Sequence, residues 1–251
     1  MARQFPILRA GRLVATLGRM EQGQIGIVLF DLGGVLIDVG GVDPMRSLAK
    51  VDSDEELWRR WLACPWVRRF ERGQCSAAEF AAGIVVEWEL GLAADAFLES
   101  FRSWMSGPVP GASELLDEVQ RRAPIGCLSN MNSLHWDAIS ARSAVFDSFS
   151  YRFLSFELGM VKPDRELFAR IRVSLPVSPD RVLFLDDNTL NVEAAAMAGF
   201  TARRVHGLGE ARRDRPWWRR GCSRASDLIW VLCAAISPPS GASSPSPPPK
   251  K

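Results

Sequence analysis

From Ile25 onward the chain alternates two hydrophobic rhythms. Short apolar runs predict strands at Ile25–Phe30, Pro124–Leu128, Tyr151–Leu154, Arg181–Leu185 and Thr201–Val205. Most are β-branched or aromatic and nearly continuous, as strands buried on both faces require. Between them, stretches such as Gly111–Arg122, Pro163–Ser174 and Asn188–Ala198 space apolar residues at helical intervals. Pro163 suits a first helical turn and Gly199 a helix stop. Strand–helix alternation predicts an α/β fold: a Rossmann-like, doubly wound parallel sheet.

One interval breaks this rhythm. Residues 40–106 follow the first strand and read as entirely helical. "SDEELWRRWLA" opens with Ser and acids, a helix-start signature. "CSAAEFAAGIVVEWEL" and "ADAFLESFRSWM" carry apolar positions three and four apart. Such a block is too long for a strand–helix connection, so it predicts a helical insert over the sheet. Trp58, Trp61, Trp88, Trp104 and Phe97 are assigned to the core of that insert.

The ends differ from the middle. The first 19 residues hold four Arg and no acid. Residues 1–22 are read as a disordered or presequence-like extension. Residues 207–251 run from Arg/Trp-rich to Pro/Ser-rich, with too little apolar surface at the end to offset ordering entropy. They are read as a largely disordered tail. The expected core is therefore 23–39 with 107–206, and the insert is 40–106.

Composition adds limits. Apolar residues are 47% and charged residues 24% of 251, ordinary for a globular chain. A net charge of +2 gives no reason to expect nucleic acid as a partner. Five cysteines without C-x-x-C suggest neither a disulfide framework nor a zinc site. The longest apolar run outside the strands, Leu228–Ile236, is too short for a membrane span. A reducing, cytoplasmic setting is the default, with an organellar alternative from the Arg-rich start.

Open α/β sheets bind ligands beyond the carboxyl ends of their strands. The predicted strands end at Asp31, at Ser129–Asn130, before Lys162, and at Asp186–Asp187–Asn188. Three acids, a hydroxyl, an amide and a lysine thus converge from four segments. Carboxylates hold Mg²⁺ through oxygen, and Lys, Ser and Asn donors bind phosphate oxygens. The inventory fits a phosphate beside a divalent metal. Asn191 falls one turn into the next helix, where it can steady the acid pair or Lys162. His135 lies in the helix after Ser129, either near substrate or as a structural histidine.

The stretches "FDLGGVLID", "CLSNMNSLH", "LGMVKPDRELF" and "VLFLDDNTLNVEAAAMAGF" resemble, in order, the four motifs of the haloacid dehalogenase (HAD) superfamily. The insert resembles its helical C1 cap. The likeness covers about residues 25–206 and is strongest to the branch containing bacterial α-glucose-1-phosphatases. It implies a Mg²⁺-dependent phosphatase acting on a small phosphorylated metabolite, sugar phosphates among the candidates. It implies Asp31 as nucleophile, and Asp31, the Gly33 backbone carbonyl, Asp187 and nearby Asp186 around the metal. Ser129, Asn130 and Lys162 would hold the phosphoryl group.

Position 33 departs from the pattern. HAD phosphatases commonly carry there an Asp that handles the leaving-group proton, and Gly33 has no side chain to do so. Either Asp38, Asp43, Glu71 or His135 supplies the proton instead, or the substrate has a good leaving group, such as a sugar-1-phosphate anomeric oxygen or an acyl phosphate. Two other readings stay open: a 2-haloacid dehalogenase-type hydrolase, and a weakly catalytic phosphate-binding or interaction module. Oligomeric state is not written in the sequence.

Overall fold

In the first strand, Ile27 and Leu29 point to one side and Val28 and Phe30 to the other, and all four are fully buried. This period of two feeds two separate cores. The computed structural model describes residues 25–205 and 207. The readings made for residues 1–22 and for the tail lie outside them, Gly207 apart.

Within the described residues, β1 (Ile27–Phe30) is the central strand of a five-stranded parallel sheet. The others are β4 (Ile125–Ser129), β5 (Tyr151–Leu154), β6 (Val182–Asp186) and β7 (Thr201–Arg204). Their order is β5-β4-β1-β6-β7. The chain leaves β1 for β4 on one side and reaches β6 on the other, so β1 borders the point where strand order reverses. Phe30 pairs with Cys127 and with Leu185, which sets the ends of β1, β4 and β6 side by side.

Helices cover both faces. Val28 and Phe30 pack with Leu115, Leu116 and Val119 of α6 (Ala112–Gln120). Ile27 and Leu29 pack with Leu167, Phe168 and Ile171 of α9 (Arg165–Ser174) and Ala195 of α10 (Thr189–Met197). Burying each large side chain this completely contributes about 1.5–3 kcal/mol. Asn188 caps α10 through its side chain, and Gly199 (φ +93°) follows it. Only a residue without Cβ takes that backbone readily.

Two features differ from the sequence reading. Pro163 is not in a first helical turn: it follows Lys162 through a cis peptide bond, and α9 starts at Arg165. Asp164 stands at the cap without a side-chain cap bond, because its carboxylate is engaged by Arg68 and Arg72. The interval 40–106 is also not wholly helical at its far end. There β3 (Met105–Pro108) pairs antiparallel with β2 (Ile37–Val39). β3 reads Met-Ser-Gly-Pro, with no run of β-branched or aromatic residues to signal a strand.

These two strands form the stem of a helical cap. Between them run α1 (Val42–Ala49), α2 (Asp54–Ala63), α3 (Pro65–Glu71), α4 (Ala77–Glu87) and α5 (Ala94–Arg102). Ser53 caps α2, and Ser76 with Glu79 forms a reciprocal capping box on α4. The cap has its own aromatic core. Trp61 packs against Phe80, Trp88, Phe101 and Trp104, and Phe70 stacks on Phe80 at 4.5 Å. Trp58 packs at its margin. Gly83 lets α4 approach α3, since a Cβ there would lie 2.1 Å from the Trp66 ring.

Candidate active site

Asp31 follows β1 directly, held by its amide donating to the Leu185 carbonyl (2.8 Å). Its Oδ1 accepts from the Leu32 amide (2.7 Å) and lies 2.9 Å from Lys162 Nζ. Its Oδ2 accepts no hydrogen bond among the described residues. The register of β1 and β6 brings Asp186 alongside it.

Lys162 is 1% exposed and bridges two carboxylates, reaching Asp186 Oδ2 at 2.6 Å as well as Asp31. Asp186 is saturated. Its Oδ1 accepts from the Asn188 amide (2.8 Å) and Asn191 Nδ2 (3.0 Å), and its Oδ2 from Lys162 and Asn191 Nδ2 (3.1 Å). Asn191 therefore braces the acid that pairs with Lys162.

Asp187 lies over the turn after Asp31. A Cβ at Gly34 would stand 2.3 Å from Asp187 Oδ2, and Gly34 has φ +72°, so glycine is required twice over. Carboxylate oxygens of Asp31, Asp186 and Asp187 all lie within 4.8 Å of one another. No donor among the described residues uses the Gly33 carbonyl. This oxygen-only donor set fits a hard divalent cation such as Mg²⁺.

The electrostatics agree. Burial pushes the Asp31 carboxyl up to about 8; Lys162 opposes this, while Asp186 and Asp187 add to it. Burial and Asp186 likewise push Asp187 up to about 6 against Lys162 and Arg204. Burial works against the Lys162 charge, but Asp186 and Asp31 overcome it and hold the ammonium above its ordinary range. One lysine faces three acids, so the cluster has room for further positive charge.

Ser129 ends β4, is 2% exposed, and its hydroxyl makes no hydrogen bond among the described residues. The side chain of Asn130 is already engaged. It accepts from the Lys162 amide (2.7 Å) and donates to the Lys162 carbonyl (3.0 Å). It fixes the loop that carries the lysine.

His135 does not face the acids. Its Nε2 lies 2.7 Å from the Phe101 carbonyl and its Nδ1 3.2 Å from Asn132 Nδ2. A carbonyl only accepts, so Nε2 carries the proton and Nδ1 takes the amide hydrogen. The ring joins α7 (Ser133–Ser140) to the cap and stacks near Phe101 (4.2 Å). Asp38 is exposed, and exposed Asp43 pairs with Arg46 at 2.7 Å. Of the four candidate proton carriers, Glu71 alone is a buried carboxyl, 8% exposed.

Two contributions were not read from the sequence. Ser155, first residue of α8 (Ser155–Leu158), exchanges hydrogen bonds with the Met131 backbone (both 2.9 Å) and ties β5 to the loop after β4. Its place just past a strand end was the available signal. Arg68 binds both Asp164 oxygens at 2.7 Å, and Arg72 joins it, which docks α3 beside Lys162. Residues 96 apart in sequence carry no such signal.

A family profile described as haloacid dehalogenase-like hydrolase matches residues 25–199. The chain belongs to the haloacid dehalogenase-like hydrolase family. Within it, the chain is 30% identical over 202 residues to Phosphatase MT3486 of Mycobacterium tuberculosis, covering 75% of this chain and 90% of that protein. It is 26% identical to D-ribitol-5-phosphate phosphatase of Bacteroides thetaiotaomicron over 69% of this chain and 88% of that one. In structure it is similar to a HAD family enzyme of Bacteroides thetaiotaomicron in complex with magnesium and inorganic phosphate. That likeness has TM-score 0.58 and 24% identity, over 78% of this chain and all of the other. This HAD member is thus a hydrolase with the family's parallel-sheet core and helical cap. No helix among its described residues is long and apolar enough to cross a membrane.

Proposed function

We propose that this HAD hydrolase is a Mg²⁺-dependent phosphatase of small phosphorylated metabolites, working through an aspartyl-phosphate on Asp31. The observation that carries the reading is the state of Asp31. It is buried, with one oxygen fixed by Leu32 and Lys162 and the other unbonded, beside Asp187. A carboxylate so placed can attack phosphorus. Asp31, Asp187 and the Gly33 carbonyl would hold Mg²⁺, with Asp186 turned toward Lys162. The metal, when bound, supplies positive charge against the phosphoryl oxygens.

The chain's own residues supply the rest. Lys162 neutralises charge on the phosphoryl group, and Asp186 with Asn191 aims it. The free Ser129 hydroxyl and the Asn130 backbone amide can donate to phosphate oxygens. The cap excludes water from the acids while the ester bond breaks. The phosphatase names of the two curated relatives support this reading, as does the magnesium and phosphate complex of the structural neighbour.

A panel of phosphate monoesters, sugar and polyol phosphates included, tests it. Wild type should release phosphate with Mg²⁺ and stop in EDTA, and Asp31→Asn should be inactive throughout. Equal turnover by wild type and Asp31→Asn would sink the proposal.

A further inference from the structure

With no acid at position 33, a phosphatase acting on an ester with a poor leaving group needs its proton from another side chain. A Cβ on Gly33 would meet the Val39 methyl at 3.2 Å and Met105 Cε at 3.9 Å. A side chain at 33 would thus start against the apolar stem of the cap. The proton source has to enter from another direction. In-line displacement places the leaving oxygen opposite Asp31, toward the cap.

Among the described residues the cap holds one buried carboxyl. Glu71 is the last residue of α3 and is 8% exposed. Trp61 Nε1 donates to its Oε1 at 3.2 Å. Its Oε2 has no hydrogen-bond partner among the described residues. Three contacts anchor this end of α3 against the core loops that flank the site. Arg68 and Arg72 hold Asp164, two residues after Lys162. Gly73 presses on the Phe156 carbonyl, where a Cβ would lie 2.7 Å away. The loop that Arg68 and Arg72 hold also carries Lys162, whose ammonium touches Asp31.

We propose that Glu71 is the general acid and base of this enzyme, delivered by the cap in place of the acid missing at Gly33. The inference rests on the phosphatase reading above. In the first step Asp31 bonds to phosphorus and the ester P–O bond breaks. The Glu71 proton passes to the leaving oxygen, which departs as an alcohol. In the second step the Glu71 carboxylate takes a proton from the water that attacks the aspartyl-phosphate. Inorganic phosphate leaves, and Asp31 and protonated Glu71 are restored.

The surroundings suit a carboxyl that cycles. Burial pushes Glu71 up to about 7, opposed by the Trp61 hydrogen bond and by the charges of Lys162 and Arg68. A group poised near neutrality can both give and take a proton. The Trp61 bond fixes one oxygen and leaves the other for exchange.

The experiment compares wild type, Glu71→Gln and Glu71→Asp, with Mg²⁺, on an alkyl phosphate and on 4-nitrophenyl phosphate. The aryl group leaves without a proton. Glu71→Gln should lose about 10²–10⁴-fold of kcat on the alkyl ester. On the aryl ester it should release one equivalent of nitrophenolate in a burst and then stall as the phosphorylated Asp31 enzyme. The burst also shows that the variant is folded and competent for the first step. Wild-type turnover of the alkyl ester by Glu71→Gln overturns the proposal. So does loss of the burst in both Glu71→Gln and Glu71→Asp, which assigns Glu71 to packing. If wild type itself hydrolyses neither ester nor any of the metabolite panel, the phosphatase reading has failed instead.

Discussion

The side chain of Asn130 holds the backbone of Lys162 at both ends, accepting from its amide at 2.7 Å and donating to its carbonyl at 3.0 Å. An amide is the side chain that makes this pair, because it offers one acceptor and one donor side by side. Asn130→Ala leaves both backbone groups short of a partner, costing about 1–3 kcal/mol. Turnover should fall further than stability, by about 10²-fold, because Lys162 shifts relative to Asp31. Urea unfolding and kcat on one phosphate ester measure the two effects. A loss of stability with kcat intact would refute this account.

Lys162→Met removes the ammonium that Asp31 and Asp186 share. Two carboxylates are then buried without it, a change of about 3–5 kcal/mol. The variant should unfold at clearly lower temperature than wild type in EDTA. Mg²⁺ at about 100 times its Kd should return about 2.7 kcal/mol to a chain that binds it when folded. A melting temperature unmoved by the substitution in EDTA would show that the pair contributes little.

The cap is docked by Arg68 and Arg72 on Asp164. Burial raises the Asp164 carboxyl, but the two guanidiniums overcome this and hold it below the ordinary carboxylate value. A lowered folded value means the contribution is full above the unfolded value of about 3.9 and is lost as pH falls below it. Asp164→Ala should destabilise by about 1–3 kcal/mol at neutral pH and much less in acid. Protease cleavage around residues 72–75 should speed up as α3 loosens. The same stability loss at all pH values would point to packing, not charge.

His135 should make the fold sensitive to mild acid. Burial pushes its ring below the usual 6.5, and the bond to the Phe101 carbonyl only partly offsets that. The folded chain keeps the ring neutral, whereas the unfolded chain takes up a proton below about 6.5. Stability is thus fully present above that value and declines as pH falls through it. Urea midpoints from pH 7.5 to 5 should fall in wild type and change less in His135→Gln. Parallel curves would remove His135 from the explanation.

The sequence by itself determined the sheet, its parallel sense and the ends at which chemistry gathers. Short continuous apolar runs such as Ile27–Phe30 permit little else once helices must cover both faces. It also gave Asp31, Ser129, Asp186 and Asp187 their neighbourhood, because parallel strands in register finish side by side, whereas Lys162 arrives on a loop that Asn130 holds. What each side chain does there was decided only by tertiary structure. Asn130 and Asn191 have the same side chain, yet one clamps a backbone loop and the other braces an acid. Asp186 and Asp187 are adjacent, yet four hydrogen bonds fill the first and leave the second turned toward Asp31. The stem strands, the Arg68–Asp164 docking and the burial of Glu71 join residues far apart in the chain. Local pattern encodes which face a residue takes, but partners across a fold are set by packing, so Arg68 and Asp164 meet only because the cap packs against the loop after β5.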